Sequence, residues 1–279
     1  MKRIATSILL VFAVLFTASA RDYKVYGPQG GLDIKITLPE GFNPETDRCP
    51  MVILMHGIFS SQKSGLITAA AKALREEGIG TICFDFDGHG KSQGRIEDMT
   101  VENEIADAMA VLEYVRSLPY VSQIGFLGHS QGGVIASMAA GRLAAEGDST
   151  PIGLVLLAPG SIIKEACQAG IFFNARFDPA DPPESVSIFG PRRKLGREYI
   201  LSTQQLDIFG TAANYRGPVL ILHGSKDGIV PLWCSEKFID AYDGRATLTV
   251  VDGASHVFAR KRKEAASHVA PFFKQVFGL

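Results

Sequence analysis

Short apolar runs alternate with helix-like segments along most of this chain of 279 residues. An uninterrupted apolar run predicts a strand buried on both faces, which is typical of a parallel sheet. Such runs lie at residues 50–57, 79–90, 123–128, 152–160 and 217–224, with an alternating strand predicted at 32–38 and a last strand at 246–253. Strands that alternate with helices form right-handed βαβ crossovers, which place helices on both faces of the sheet. The sequence therefore predicts an α/β fold around a mostly parallel sheet.

The alternation stops at residue 161 and resumes near residue 216. Prolines 179, 182, 183 and 191 and many aromatic residues lie between these points, without a clear period. So long and apolar a segment is not typical of a loose loop, so we predict a cap folded over the C-terminal edge of the sheet. The expected organisation is a first core part at 21–160, a cap at 161–215 and a second core part at 216–279.

The first 20 residues have the order of a secretory signal peptide. Lys2 and Arg3 precede an uncharged apolar run, and the small residues Ala18, Ser19 and Ala20 follow it. A membrane anchor or a buried first helix are the alternatives, but the run is short for a membrane span. We therefore predict cleavage after Ala20, a secreted or periplasmic protein and no stable membrane anchor.

Charge and cysteine usage exclude several classes of function. The formal net charge of −1 gives no basic excess for nucleic-acid binding. Cys49 and Cys83 are predicted at opposite ends of parallel strands, about 10–15 Å apart and too far for a disulfide. Free buried thiols are expected, although the pairing of Cys167 with Cys234 stays open. No CxxC motif or Cys/His cluster indicates a metal, and no cofactor is predicted.

The stretch Gly-His-Ser-Gln-Gly-Gly at 128–133 lies where a predicted strand passes into a predicted helix. A lone GxSxG motif is a weak signal, but strand, tight turn and helix form the context of a nucleophile elbow. Only small neighbours permit the strained backbone of such a turn. The hydroxyl of Ser130 would then project above the sheet at a helix N-terminus, which stabilises developing negative charge. We predict that Ser130 is a nucleophile rather than a turn residue.

A serine nucleophile needs a histidine base that is oriented by an acid. Asp227 follows a predicted buried strand, and His256 lies in the loop after the next strand. Both positions are at C-terminal strand ends, where such sheets bind ligands. His223 and His268 are expected to be packed or solvated, and Asp252 is too close to His256 in sequence to orient it. The predicted triad is Ser130, Asp227 and His256.

An oxyanion hole needs two backbone donors. The expected donors are the N–H of Gln131, which follows the nucleophile, and the N–H of Ile58 in the turn after the strand at 50–57. We expect His56 to shape that turn and His129 to pack under the elbow. The loop "DFDGHGKS" at 85–92 is interpreted as a structured loop beneath the site and not as a metal site.

The sequence resembles the α/β-hydrolase superfamily over its mature length and, more narrowly, the bacterial cinnamoyl and feruloyl esterases. The stretches that carry this resemblance are "FDFDGHGKSQGRIEDMTVENEIADA", "GHSQGGVIASMAAG", "LGREYILSTQQLDIF", "HGSKDGIVP" and "DGASHVF". The resemblance implies an α/β-hydrolase fold with an inserted cap and hydrolysis of esters that join hydroxycinnamic acids to sugars or small alcohols. It also implies the same triad, with Ile58 and Gln131 donating to the oxyanion.

In such esterases the cap binds the phenolic ring of the substrate. By position, Tyr199 is the first candidate for that contact and Glu165 the second. A plain packing role for Tyr199 is an equal alternative. An apolar cap with one or two polar anchors fits a flat aromatic acid.

Other functions remain as alternatives. A broad acyl esterase or monoacylglycerol lipase would have a more open apolar rim, and a small-peptide serine aminopeptidase would need carboxylates to bind the substrate amine. A non-catalytic binding module with this fold is disfavoured because all three triad residues occur in the expected order. The expected partner is a small-molecule ester, and a homodimer is one option for the oligomeric state.

Overall fold

The computed structural model describes residues 23–279, which fold around a seven-stranded sheet. The strands are β1 Val25–Gly27, β2 Gly30–Leu32, β3 Ile34–Thr37, β4 Cys49–Met55, β5 Gly80–Phe84, β6 Val121–His129, β7 Leu154–Leu157, β8 Ile171–Phe172, β9 Ala175–Arg176, β10 Ser185–Ser187, β11 Lys194–Gly196, β12 Val219–Gly224 and β13 Ala246–Val251. The helices are α1 Gly65–Glu76, α2 Val101–Arg116, α3 Gln131–Ala145, α4 Ile162–Gln168, α5 Arg197–Gln204, α6 Ile208–Ala212, α7 Trp233–Tyr242 and α8 Arg262–Phe277, with a short 3₁₀ helix at Ile96–Asp98.

The order of strands in the large sheet is β13-β12-β7-β6-β4-β5-β3. Each neighbouring pair is parallel except β3 with β5, which is antiparallel at the edge. Side chains on β4 alternate between two apolar layers: Met51 and Ile53 contact the layer that contains α2 and α3, and Val52 and Leu54 contact the layer of α1 and α8. The predicted α/β fold, with a mostly parallel sheet covered on both faces, is confirmed.

Hydroxyl side chains cap the N-terminal ends of two helices. The Thr100 hydroxyl accepts a hydrogen bond from the backbone N–H of Asn103 at 3.0 Å, so α2 begins at Val101 as the sequence indicates. The Ser64 hydroxyl accepts more weakly from the N–H of Ile67, at 3.4 Å, at the start of α1. These caps fix the N-terminal ends of two of the helices that connect strands of the sheet.

Residues 161–215, the predicted cap, hold α4, two short antiparallel hairpins, α5 and α6. The hairpins pair β8 with β9 and β10 with β11. Aromatic side chains join the pieces: the ring of Phe172 packs edge-on against that of Tyr199, and Phe173 contacts Phe189. The exact limits of the cap stay a prediction.

Other sequence predictions concern cysteines and membranes. All of the cysteines, at positions 49, 83, 167 and 234, are buried free thiols. Within residues 23–279, each helix is too short or too polar to cross a bilayer. The predicted signal peptide at 1–20 lies outside the described residues, so export stays a prediction.

Two buried carboxyl groups connect the N-terminal hairpin to the loop after β5. Asp107 on α2 accepts a hydrogen bond from the backbone N–H of Asp87 at 2.8 Å, and Asp87 accepts one from the N–H of Gln29 at 3.0 Å. Burial, and then the neighbouring Asp87 charge, raise the pKa of Asp107 above its ordinary value. The folded chain therefore keeps a proton here that the unfolded chain releases above about pH 4.

This proton makes stability depend on pH. Since the folded state binds more protons, the free energy of unfolding falls as pH rises, until the raised pKa of Asp107 is passed. Compared with Asp107→Asn, the wild type should lose about 1 kcal/mol per pH unit between about pH 7 and pH 9. Urea unfolding followed by the fluorescence of Trp233 measures this loss. Asp98→Asn, at an exposed carboxyl, is the control, and parallel wild-type and Asp107→Asn curves would contradict the prediction.

Candidate active site

Ser130 occupies a strained turn between β6 and α3. Its φ of 56° and ψ of −122° are unusual for a residue with a side chain. The surrounding backbone holds this conformation, because the Ser130 N–H donates to the carbonyl of Leu157 and the Ser130 carbonyl accepts from the N–H of Gly160. The hydroxyl therefore has a fixed position at the C-terminal edge of the sheet.

The glycines around Ser130 are required by close backbone approach. A Cβ at Gly128 would lie 2.0 Å from the carbonyl oxygen of Gly132, and a Cβ at Gly132 would lie 2.4 Å from that of His56. Neither gap admits a methyl group without moving backbone. Strand, sharp turn and helix occur at the positions that the sequence predicts for a nucleophile elbow.

The structure brings together the three predicted triad residues. The distance from Ser130 Oγ to His256 Nε2 is 2.9 Å, and His256 Nδ1 lies 2.8 Å from Asp227 Oδ2. Asp227 follows β12 and His256 follows β13, so both lie in loops at the same edge of the sheet as Ser130. All three are mostly removed from solvent. This geometry is that of a serine, a base and an orienting acid.

Asp227 remains a carboxylate despite its burial. Burial raises its pKa, but hydrogen bonds from His256 and from the backbone N–H groups of Val230 and Ile229 outweigh that effect and lower the pKa below its ordinary value. A carboxylate only accepts hydrogen bonds, so the Nδ1 of His256 carries the proton that it donates to Asp227. The Nε2 is then free to accept the proton of Ser130.

Neighbouring histidines support the loops around the triad. His129 bonds through Nε2 to the carbonyl oxygen of His256 at 3.0 Å, and burial lowers the pKa of His129 to about 3. His56 donates from Nδ1 to the Gly57 carbonyl and accepts at Nε2 from the N–H of Phe86. His223 is buried in β12 and bonds to Ser235 and Val230. These contacts agree with the packing and loop-shaping roles that the sequence predicts.

Two backbone donors lie next to Ser130, one in the residue that follows it and one in the loop after β4. The N–H of Ile58 and that of Gln131 find no acceptor among the described residues. Gly57 brings the Ile58 loop against Ser130, since a Cβ at Gly57 would lie 3.0 Å from the Cβ of Ser130. Free donors on both sides of a nucleophile are suited to bind a developing oxyanion.

An apolar pocket of about 470 Å³ opens above Ser130. Its lining comes from the Ile58 loop, from the cap and from the loop after β12: Ile58, Ser130, Gly160, Ile162, Ile163, Ala166, Ile171, Phe172, Phe173, Asn174, Phe189, Gly228, Ile229 and Val230. Phe189 is 63% exposed and Ile229 is 49% exposed, so apolar side chains also form the rim. The pocket therefore suits an uncharged, apolar group next to the serine hydroxyl.

The sequence made Tyr199 the first candidate for substrate contact, but the structure does not place this residue in the pocket. Tyr199 on α5 is fully buried, and its hydroxyl donates to the side-chain oxygen of Gln131 at 2.6 Å. Its ring packs against that of Phe172, a residue that also lines the pocket. Because α5 turns Tyr199 towards α3, the residue supports the site from behind and the packing alternative is the better description.

Glu165 is also outside the pocket. Its carboxylate pairs with the Nζ of Lys237 on α7 at 3.2 Å, while Ile162, Ile163 and Ala166 of the same helix line the cavity. The helical period separates these faces of α4. Sequence reasoning noted Phe172, Phe173 and Phe189 only as aromatic residues of the cap and did not select Asn174. Their position beside turn residues and short strands gave no sign of which way they point.

The loop at 85–92 is held by hydrogen bonds within the protein. Asp85 accepts from the backbone N–H groups of Gln62 and Lys91, at 2.7 and 2.9 Å. Over residues 23–279, His, Cys, Asp and Glu side chains do not form a group of three or more that could hold a metal ion.

Comparison with known proteins gives the family context. The sequence model described as "Hydrolase_4: Serine aminopeptidase, S33" matches residues 46–177. The structure of Est1E from Butyrivibrio proteoclasticus with ferulic acid bound is similar to this chain, with 28% identity and a TM-score of 0.82. The similarity covers 89% of this chain and 96% of Est1E.

Curated relatives match less of the chain. An uncharacterised 31.7 kDa protein of Escherichia coli is 30% identical over 105 residues, which are 37% of this chain and 35% of that protein. An uncharacterised protein of Mycobacterium tuberculosis is 26% identical over 210 residues, which are 74% of this chain and 63% of that protein. The chain thus spans about a third of the length of the first relative and under two thirds of the second.

The sheet order, the turn at Ser130 and the similarity to Est1E indicate the same fold. The predicted α/β-hydrolase fold and the resemblance to serine esterases with this fold are confirmed. The chain has the α/β-hydrolase fold, and it is similar to serine hydrolases of the esterase type, including Est1E.

Proposed function

We propose that this protein hydrolyses esters of hydroxycinnamic acids, with Ser130, His256 and Asp227 as its catalytic triad. The observation that carries the proposal is the continuous hydrogen-bonded chain from Ser130 through His256 to Asp227 at the floor of an apolar pocket. The ferulic acid bound to Est1E supports the choice of the acyl group. The alcohol, either a sugar or a small alcohol, would leave through the open mouth.

Acylation begins with attack of Ser130 Oγ on the ester carbonyl carbon. The Nε2 of His256 takes the hydroxyl proton, and the carbonyl oxygen becomes an oxyanion between the N–H groups of Ile58 and Gln131. Collapse of this intermediate breaks the bond to the alcohol oxygen, which takes the proton from His256. Asp227 stays ionised throughout and stabilises the imidazolium.

Deacylation repeats the same steps with water. His256 removes a proton from a water molecule, whose oxygen attacks the acyl carbon of the ester to Ser130. The second oxyanion occupies the same two backbone donors. Its collapse returns the proton to Ser130 and releases the carboxylic acid, so the enzyme ends in its starting state.

The pocket favours a flat uncharged acyl group. Phe172, Phe173 and Phe189 contribute aromatic rings to the lining, and Asn174 is the amide among the lining residues. No Asp or Glu occurs in this lining within the described chain, so the protonated amine of a peptide substrate would lack a carboxylate partner. This argues against aminopeptidase activity for this chain.

A second candidate is hydrolysis of acyl esters with aliphatic chains, as in a monoacylglycerol lipase. The exposed apolar rim that includes Phe189 and Ile229 favours this alternative, because an aliphatic chain gains binding free energy when any apolar surface removes it from water. The aromatic wall of the cap favours the hydroxycinnamoyl group over it.

A substrate panel tests the proposal. We expect kcat/KM for methyl ferulate to exceed that for a monoacylglycerol by at least about 10-fold, since binding differences of about 1.4 kcal/mol give that ratio. An aminoacyl amide should not be cleaved. Phe173→Ala should reduce the preference for the ferulate ester, and Ile171→Ala is the matched apolar control. Fast cleavage of only the monoacylglycerol or the amide would overturn the feruloyl proposal.

A further inference from the structure

A buried carboxyl group lies behind the proposed oxyanion hole and takes no part in the triad. Glu104 on α2 is 1% exposed. Its Oε2 accepts a hydrogen bond from the side-chain amide of Gln131 at 2.5 Å, and its Oε1 lies 3.7 Å from the Nδ1 of His89. Glu104 therefore contacts Gln131, which carries one proposed oxyanion donor, and His89, which bonds to the residue after the other donor.

The first connection fixes the residue after the nucleophile. The amide nitrogen of Gln131 donates to Glu104, and its amide oxygen accepts from the Tyr199 hydroxyl at 2.6 Å. Both ends of this side chain are thus held, one by α2 and the other by α5 of the cap. Since Gln131 is the first residue of α3, holding its side chain also restrains the direction of its backbone N–H.

The second connection reaches the loop after β4. The Nδ1 of His89 bonds to the carbonyl of Asp87 at 3.0 Å, and the Nε2 accepts from the backbone N–H of Phe59 at 3.1 Å. Phe59 follows Ile58 directly and has a φ of 54°, so its conformation needs support. Glu104 packs against the His89 ring that gives this support.

We propose that Glu104 is a positioning residue that holds the two backbone donors of the oxyanion hole in register, through Gln131 on one side and His89 on the other. Tyr199 extends this arrangement to the cap. The inference rests on the proposed function, because it assigns Glu104 a part in that reaction. Glu104 does not touch the substrate; it acts through Gln131 and His89.

The charge state of Glu104 agrees with this role. Burial first, and then the Asp87 charge, raise its pKa to about 8 against the opposing effect of the Gln131 hydrogen bond. Titratable groups that face it are His89 and Asp87 from the loop after β5, Asp107 from α2 and Tyr199 from α5. Burial lowers the pKa of His89 to about 4. At neutral pH the carboxyl group is therefore protonated, and glutamine is a neutral replacement of the same shape.

The test measures kinetics and covalent labelling of purified full-length enzyme. A fluorophosphonate phosphonylates Ser130 with loss of fluoride, and this reaction needs the oxyanion hole but no particular ester. For Glu104→Leu we expect about 10- to 100-fold slower labelling and kcat, with KM within about twofold, because an oxyanion contact stabilises the transition state selectively. Glu104→Gln should recover most of both rates.

Two further variants complete the comparison. Tyr199→Phe removes one hydroxyl and keeps the ring, so labelling should slow about 3- to 10-fold, less than the loss of a whole oxyanion donor. Glu113→Leu, at an exposed position on the same helix, should change neither rate. Thermal unfolding of each variant shows whether it is folded.

Wild-type labelling and wild-type kcat in folded Glu104→Leu would overturn the inference. If Glu104→Leu does not fold, Tyr199→Phe decides, and an unchanged labelling rate in that variant overturns the inference in the same way. If the wild type is labelled but cleaves no ester of the panel, the proposed function fails, while the labelling rates still test the role of Glu104.

Discussion

Replacement of Ser130 by alanine should lower kcat for ester hydrolysis by about 10⁶-fold, because loss of the nucleophile in a serine hydrolase removes nearly all of the triad's contribution. The change deletes one oxygen and should leave the fold intact, since His256 is the one hydrogen-bond partner of the hydroxyl within residues 23–279. Rates with methyl ferulate and unfolding curves, measured on the same preparations, check both statements.

A matched control is available within α3. Ser137 is also buried, and its hydroxyl donates to the carbonyl of Val134 in its own helix. Ser137→Ala should therefore keep kcat within about twofold, as expected for a group that meets neither substrate nor triad. Wild-type turnover by folded Ser130→Ala would remove the basis of the proposed function.

Replacement of Asp227 by asparagine should lower kcat by about 10⁴-fold at neutral pH, as the corresponding change does in serine proteases. The amide of asparagine can donate to Nδ1 of His256, which favours the tautomer that carries the imidazole proton on Nε2. In that tautomer Nε2 cannot accept the proton of Ser130. The pH profile of kcat/KM for methyl ferulate measures the loss and shows whether hydroxide recovers part of the rate.

Asp252→Asn is the control for this change. Asp252 lies in the loop that also carries His256, but it is exposed and accepts from the hydroxyl of Ser225 at 3.0 Å. Its replacement should change kcat by less than about twofold, since an exposed hydrogen bond contributes little. Equal losses in both variants would mean that general loop stability, and not the orientation of His256, determines the rate.

The central sheet and the triad positions could be predicted because local patterns determine them. Apolar runs such as that at 50–57 become strands of the sheet interior, and residues that follow parallel strands meet at one edge. Asp227 and His256 are far apart in sequence, yet strand adjacency alone brings them to Ser130.

The direction of cap side chains could not be predicted in the same way. Tyr199 and Glu165 lie on short helices whose rotation is set by packing against α3 and α7. Both polar groups face protein partners, while Phe173 and Asn174 occupy a turn between β8 and β9 and reach the pocket. A turn of this kind has no period that could indicate its orientation.

Glu104 shows a further limit of sequence reasoning. It lies in the first turn of α2, where an acidic residue is expected to be exposed and to favour the helix dipole. Val101, Ala108 and Val111 share its face of α2 and are buried, and this apolar stripe is the signal that could have indicated the burial of Glu104. Only the packed structure identifies Gln131 as its partner.

The pocket is assembled from two sources with separate tasks. The proposed triad lies in loops at the sheet edge, whereas most of the pocket lining comes from the stretch between Ile162 and Phe189. Substitutions in that stretch should thus change which carboxylic acid the pocket prefers and leave the proposed triad in place. This division makes the inserted segment the natural target for mutagenesis libraries that seek new ester specificities with an unchanged triad.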